Sequence, residues 1–299
     1  MNPQRLLLIS DSASIATPAV ARAAALAEAT GAILDVVVCG GTAGSLWLLD
    51  EKVREQVRQG YLQRQRELLG ELEQHLRARG IQVSVEAFWA DEPEQEILRI
   101  LSSSSADLVI KATRHESGFK RAFITPLDWQ LLRSCPIPLH LVTTADNPLP
   151  KKVAAAVDLS RKDAENDRLN ERIVSVAEQF ATQCGARLHL IAAYDVSPSF
   201  LAYAASPVGW TEALQETLTG HLQEAFSQFA SQHGVPSHRQ HLLAGAPAKT
   251  IAEFALRDGM DVVVMGTLTH SGIDKVLGST SEQVLYKVPG LIAVRPESV

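Results

Sequence analysis

The sequence predicts an α/β chain of two like domains in tandem, each a doubly wound, mainly parallel five-stranded sheet with helices on both faces. Three observations predict it. Short, fully apolar runs alternate with amphipathic stretches, the pattern of a parallel sheet buried under helices. The order strand-helix, four times over and closed by a fifth strand, is read once before residue 147 and again after it. The two readings also stay in register. Pro93, Ile97 and Asp107 lie 154 residues before Pro247, Ile251 and Asp261, Lys111-Ala112-Thr113 lies over Met265-Gly266-Thr267, and Cys135-Pro136 matches Val288-Pro289 at 153.

In the first half, RLLLISD (Arg5–Asp11) reads as a strand, followed by an Ala-rich helix from about Thr17 to Thr30 that Gly31 ends. Ile33–Cys39 is the second strand. A long helix follows, in which Leu46, Leu49, Val53 and Val57 recur at three- and four-residue spacing, and Gly80 stops it. Ile81–Ala90 is the third strand, Pro93 opens a helix through Leu101, and Asp107–Thr113 is the fourth strand. A short helix near Asp128–Arg133 leads to the fifth strand, Pro138–Thr143. Asn147-Pro148-Leu149-Pro150 is a stiff link, since proline fixes φ and discourages helix. The second half repeats the order through KKVAAAVDLS, a helix over Glu165–Cys184, ARLHLIAAY, a helix from about Trp210 to His233, RQHLLAG, a helix after Pro247, DVVVMGT and GLIAVRP. The expected domains are residues 1–146 and 149–299.

Composition narrows the function. Of 299 residues, 46% are hydrophobic and 21% charged, so a sizeable core is available. The net charge of -6 argues against a nucleic-acid surface. Three scattered cysteines without a CxxC pair fit a reducing compartment. MNPQRLLLIS runs directly into DSAS, and no apolar run approaches membrane-spanning length, so a cytoplasmic protein without membrane attachment is expected.

In an open parallel sheet, ligands sit beyond the carboxyl ends of the strands, where strand order reverses. The informative loop is therefore Gly266-Thr-Leu-Thr-His-Ser-Gly272-Ile-Asp-Lys-Val-Leu-Gly278-Ser279-Thr280-Ser281-Glu282. Glycines let backbone approach a ligand, and a helix start at Gly278-Ser279 offers free N–H groups to an anion. Ser279 and Glu282 also have the spacing of a capping box, so an ordinary capped helix fits the same residues. Asp11 and Asp158, each at the end of a first strand, suit a cap of the following turn.

This loop resembles the nucleotide motif of the universal stress protein family: glycine, two residues, glycine, nine residues, glycine with serine or threonine. Thr269 replaces the second glycine, and eight residues rather than nine precede Gly278. The stretches ADLVIKATRHE, FITPLDWQLLRSCP and GSTSEQVL extend the resemblance to both halves, in the manner of tandem members of that family. The resemblance implies a stress-response module that binds ATP or a related adenine nucleotide in its second half without efficient turnover. The contacts it implies are Asp158, Gly266, Thr267, Thr269, Gly272, Gly278, Ser279, Thr280 and Ser281. It also implies that the two domains pair through their last strands as an intramolecular pseudo-dimer.

The first half has lost the motif. Ala112 and Ile124 stand for Gly266 and Gly278, and Pro126 lacks an N–H at the helix start. Arg114, His115, Lys120 and Arg121 beside it read as a solvated edge, though they also suit an anion. Gly40–Gly44 lacks a Walker lysine and reads as a flexible turn. His233, His238 and His241 are close in sequence, but a strand would turn 238 and 241 to opposite faces, so no metal set is expected. No nucleophile elbow, H-E-x-x-H or paired-carboxylate motif appears, and no catalytic residue is assigned. The other function classes are a binder of an apolar molecule or lipid fragment, with the loop purely structural, and a slow ATP hydrolase. Self-association or an unidentified protein partner is compatible with either.

Overall fold

The computed structural model describes residues 4–10, 16–40, 48, 50–90, 92–113, 127–161, 163–195, 212–267, 280–285 and 287–296. The chain divides into two compact units, Met1–Leu149 and Pro150–Val299.

The first unit runs β1 (Arg5–Ser10), α1 (Pro18–Thr30), β2 (Ile33–Gly40), α2 (Glu51–Ala78), β3 (Val83–Trp89), α3 (Pro93–Ser103), β4 (Leu108–Ala112), α4 (Leu127–Ser134) and β5 (Leu139–Val142). The strands are parallel in the order β3-β2-β1-β4-β5. The second unit runs β6 (Lys152–Val157), α5 (Ala164–Cys184), β7 (Arg187–Tyr194), α6 (Glu212–Gln232), β8 (Gln240–Ala244), α7 (Pro247–Arg257), β9 (Val262–Gly266), α8 (Thr280–Val284) and β10 (Gly290–Val294). Its parallel order is β8-β7-β6-β9-β10, the same topology.

The core lies where the apolar runs put it. Leu6–Ile9 and Val153–Val157 are buried along their length because helices cover both faces of these central strands. Side-chain caps start the helices: Thr17 accepts from Val20 N at 3.2 Å, Asp50 from Val53 N at 2.9 Å, and Asp163 from Asn166 N at 2.9 Å. Gly31 and Gly185, at φ 71° and 61°, end α1 and α5 in the left-handed conformation that glycine adopts without a Cβ penalty.

The duplication extends to a side-chain device. Asp107 Oδ2 accepts from the backbone N–H groups of Gln4 and Arg5 at 2.8 and 3.1 Å. Asp261 Oδ2 accepts from those of Lys151 and Lys152 at 2.8 and 3.0 Å. Each carboxylate ties the start of its unit's first strand to the start of the fourth.

Two differences from the sequence reading have physical causes. α2 begins at Glu51, and its buried stripe is Leu62, Leu69, Leu72 and Leu76 rather than the earlier apolar residues. Val53 and Val57 are exposed, as is Leu48, because Glu51–Gly60 presents no buried face; Leu46 and Leu49 lie outside the described residues. The helix joins the sheet at Tyr61, whose ring meets Trp89 at 5.3 Å and fills the space a Cβ on Gly40 would need. The repeat also drifts: the last strands match 152 residues apart, since Thr113 N donates to Val142 O and Thr267 N to Val294 O. The loop before the fifth strand therefore differs in length between the halves.

Candidate functional site

The strand order reverses between β6 and β9, and Ala156 lies opposite Met265. Two residues further along each chain, this register sets Asp158 beside Thr267 at the carboxyl edge, one step past the ends of their strands. Asp158, Gly266 and Thr267 are thus brought together at the switch point, where a doubly wound sheet receives ligands. Gly41–Gly44, Thr269, Gly272, Gly278 and Ser279 lie outside the described residues, as do Asp11, Arg114, His115, Lys120, Arg121, Ile124 and Pro126 of the first half.

Asp158 is exposed, and its backbone is gripped from beneath. Asn166 Nδ2 and Asn170 Nδ2 donate to Asp158 O at 2.8 and 2.7 Å, and Asp158 N donates to Asn170 Oδ1 at 3.0 Å. Asn166 Nδ2 also reaches Arg161 O at 3.0 Å. The carboxylate Oδ1 accepts from Ser160 N and Ser160 Oγ at 3.0 and 2.6 Å, an Asx turn. Both asparagines are almost fully buried. They come from two turns that α1 lacks: α5 has 21 residues against 13, while the two helices end at matching glycines. Sequence reasoning passed over them because asparagine inside a helix reads as a solvated residue. The only available signal was their i, i+4 spacing just after the Asp163 cap.

The same added turns explain Gly266. A Cβ there would lie 2.6 Å from Leu169 Cδ2 and 3.2 Å from Ile173 Cδ1, so glycine is what lets α5 pack on the end of β9. Counting back from the matched glycine caps, Ala19 replaces Ile173 in α1, where β4 carries Ala112. Thr267 is buried; its N–H donates to Val294 O at 2.8 Å, and its Oγ1 approaches the same oxygen at 3.4 Å. Thr280 opens α8 half-buried, and Ser281 is completely buried.

The first unit carries a different interior beneath its switch point. Lys111 Nζ on β4 meets Asp128 Oδ1 on α4 at 2.7 Å with both side chains buried, and Nζ donates to Ala112 O at 2.9 Å. The matched residues of the second unit are Met265 and, aligning helix starts Leu127 and Thr280, Ser281. His140 on β5 is fully buried where β10 has Ile292. Neither substitution was legible as a contact in the sequence, because each partner lies on a separate element.

His238 lies in a 3-10 turn, Ser237–Arg239, ahead of β8 rather than on a strand. His241 on β8 instead meets His189 on β7. His233 Nε2 lies 3.4 Å from Glu171 Oε2. Among the described residues, no group of three or more His, Cys, Asp or Glu is placed to hold a metal ion. No described helix is long and apolar enough to cross a membrane.

This architecture is shared with known proteins. The model of the universal stress protein family matches residues 3–143 and again residues 150–294. Universal stress protein E of Escherichia coli K12 is 28% identical over 255 residues, covering 84% of this chain and 80% of that protein. Its namesake in Photorhabdus laumondii is 24% identical over 302 residues, covering 99% and 96%. Among solved structures, a functionally unknown protein of Pseudomonas aeruginosa PAO1 matches with a TM-score of 0.73 and 26% identity, covering 98% of this chain and 93% of that one. A universal stress protein of Archaeoglobus fulgidus shares the fold with a TM-score of 0.68 at 19% identity, over 99% and 97%. The two matches of the family model, end to end on a repeated α/β topology, place the chain in the universal stress protein family as a tandem of two such domains.

Proposed function

We propose that this protein is a stress-response ligand-binding module whose second unit takes ATP or a related adenine nucleotide without efficient turnover. The observation that carries the reading is Asp158: an exposed carboxylate at the switch point, held in place by two buried asparagines. Oδ1 is engaged by Ser160, and the carboxylate keeps further acceptor capacity for a hydroxyl or amino group. In this reading, Asp158 faces the adenosine end. Gly266, Thr267, Thr269 and Gly272 begin the loop, and Gly278, Ser279, Thr280 and Ser281 end it beside the phosphates. Slow turnover follows from the sequence, which offers no evident base or metal-ligand set to position water and neutralise developing charge.

Calorimetry with ATP on the full chain tests the proposal. The expected result is at most one nucleotide per chain, bound by the wild type and by Ile124→Glu, and lost in Ser279→Glu, which places negative charge at the phosphate position. Two equivalent sites, or loss through Ile124→Glu in folded protein alone, would refute the assignment to the second unit. Absence of binding in the wild type would favour the second reading, an apolar ligand with a purely structural loop. The contact of Leu169 with Gly266 is the observation on that side. Native mass spectrometry of the purified protein would then show the mass of such a ligand.

A further inference from the structure

His189 Nδ1 and His241 Nε2 meet at 3.0 Å. The ring centres are 5.3 Å apart with planes within 17°. A 3.0 Å contact allows that separation only if the two nitrogens point at each other along the line of centres. The contact is therefore a head-to-head N–H···N hydrogen bond, with room for one proton between the rings. Among the described residues, the buried Nε2 of His189 has no hydrogen-bond partner. Helix α7 closes over the pair through Phe254, whose ring centre is 4.6 Å from that of His241. Arg257 in turn covers Phe254 at 5.6 Å.

The surroundings oppose positive charge. Lys152 of β6, Arg187 of β7 and Arg239 of the turn before β8 act on His189. On His241, of α7's neighbour β8, burial opposes charge most, while the Asp258 carboxylate at the end of α7 favours it and outweighs Arg257. A neutral pair has two protons on four ring nitrogens, and one added proton leaves one nitrogen bare. If an outer nitrogen is bare, two N–H groups face each other at 3.0 Å. If a facing nitrogen is bare, Nε2 of His189 carries an N–H that has no acceptor. Every arrangement of the charged pair thus either sets two N–H donors against each other or makes the already partnerless Nε2 of His189 the buried donor of a cation. At the matching place in the first unit stands Asp35, which accepts from Arg5 at 2.7 Å and from the Ser84 hydroxyl at 2.6 Å.

We propose that the His189–His241 contact is an acid-operated latch, which holds edge strand β8 and helix α7 on the second unit while neutral and releases them when the pair gains a proton. The sign of the effect follows from linkage. Burial first, then His241 and the cations, hold His189 down to about 4; burial also lowers His241. The released rings bind protons more readily than the held ones, so the closed form is fully favoured above about pH 6.5, the free histidine value, and loses ground as pH falls toward 4. β8 is an edge strand, paired on one side within its unit, so it yields before the central strands.

Hydrogen exchange on the full chain at pH 7 and pH 5, with times scaled for intrinsic exchange, tests the latch. Protection of residues 240–257 is expected to fall on the order of tenfold at pH 5, while residues 33–40 and 83–89 of the first unit hold theirs. In a His189→Leu/His241→Leu variant the acid-dependent loss should vanish. Equal losses in both units, or a loss that survives in the variant, would overturn the proposal. Should the variant not fold at pH 7, ring titration of the wild type by NMR decides. Coupled titration well below 6.5 sustains the latch, and independent titration near 6.5 overturns it.

Discussion

Replacing Lys111 with methionine is expected to destabilise the first unit by about 3–5 kcal/mol, the cost of leaving one member of a buried ion pair without the other. Lys111 and Asp128 are buried together at 2.7 Å, and the pair fastens the short helix α4 to β4. The cost arises from a buried carboxylate that has lost its cation rather than from the loss of a strongly favourable contact, because desolvation offsets most of what the pair gains. The double variant Lys111→Met/Asp128→Ser should therefore recover most of the loss. It installs the residues the second unit already uses, Met265 and the fully buried Ser281. Urea denaturation of the full chain, with the first unit's transition assigned by hydrogen exchange in β4 and β5, gives both numbers. A single variant within about 1 kcal/mol of wild type, or a double variant no better than the single, would show that the pair does not hold α4.

Gly266→Ala separates packing from ligand approach. The added Cβ would sit 2.6 Å from Leu169 Cδ2 and 2.9 Å from its Cγ, and Leu169 is buried between α5 and the sheet. Overpacking of this kind costs about 1–3 kcal/mol, expected here in denaturation without any nucleotide present. Leu169→Ala removes the obstructing atoms at the price of a cavity, so the two changes together should be less damaging than their sum. A coupling of roughly 0.5–3 kcal/mol is the range for residues in direct contact. If Gly266→Ala left stability unchanged and only weakened ATP binding, the glycine would serve the ligand rather than the helix. Loss of stability with nucleotide affinity intact in the folded fraction would place the packing role first.

How much of this was legible in the chain itself depends on how local each cause is. Two tandem parallel α/β units follow from apolar runs, helix caps and glycine stops, each decided within a few residues. Thr17, Gly31, Gly80 and Pro93 mark boundaries that the structure keeps. The matched aspartates Asp107 and Asp261 were visible as a repeat, though their task of tying two strand starts together was not. The long second helix shows the limit of periodicity: Val53 and Val57 have helical spacing and lie on a helix, yet the sheet begins only at Tyr61, so the apolar stripe there stays exposed. Of the candidate site, Gly266 and Thr267 could be named from a strand end, and Asp158 only through the family resemblance. What only the tertiary structure decided is what each touches, because those partners come from other elements. Two extra turns of α5 bring Asn166 and Asn170 to the backbone of Asp158 and Leu169 to the place where Gly266 has no side chain. In the same way, β4 and α4 bring Lys111 to Asp128, and β7 and β8 bring His189 to His241. Local sequence sets φ, ψ and burial face, while the pairing of polar groups across elements is fixed only when the sheet closes and each buried donor must find an acceptor.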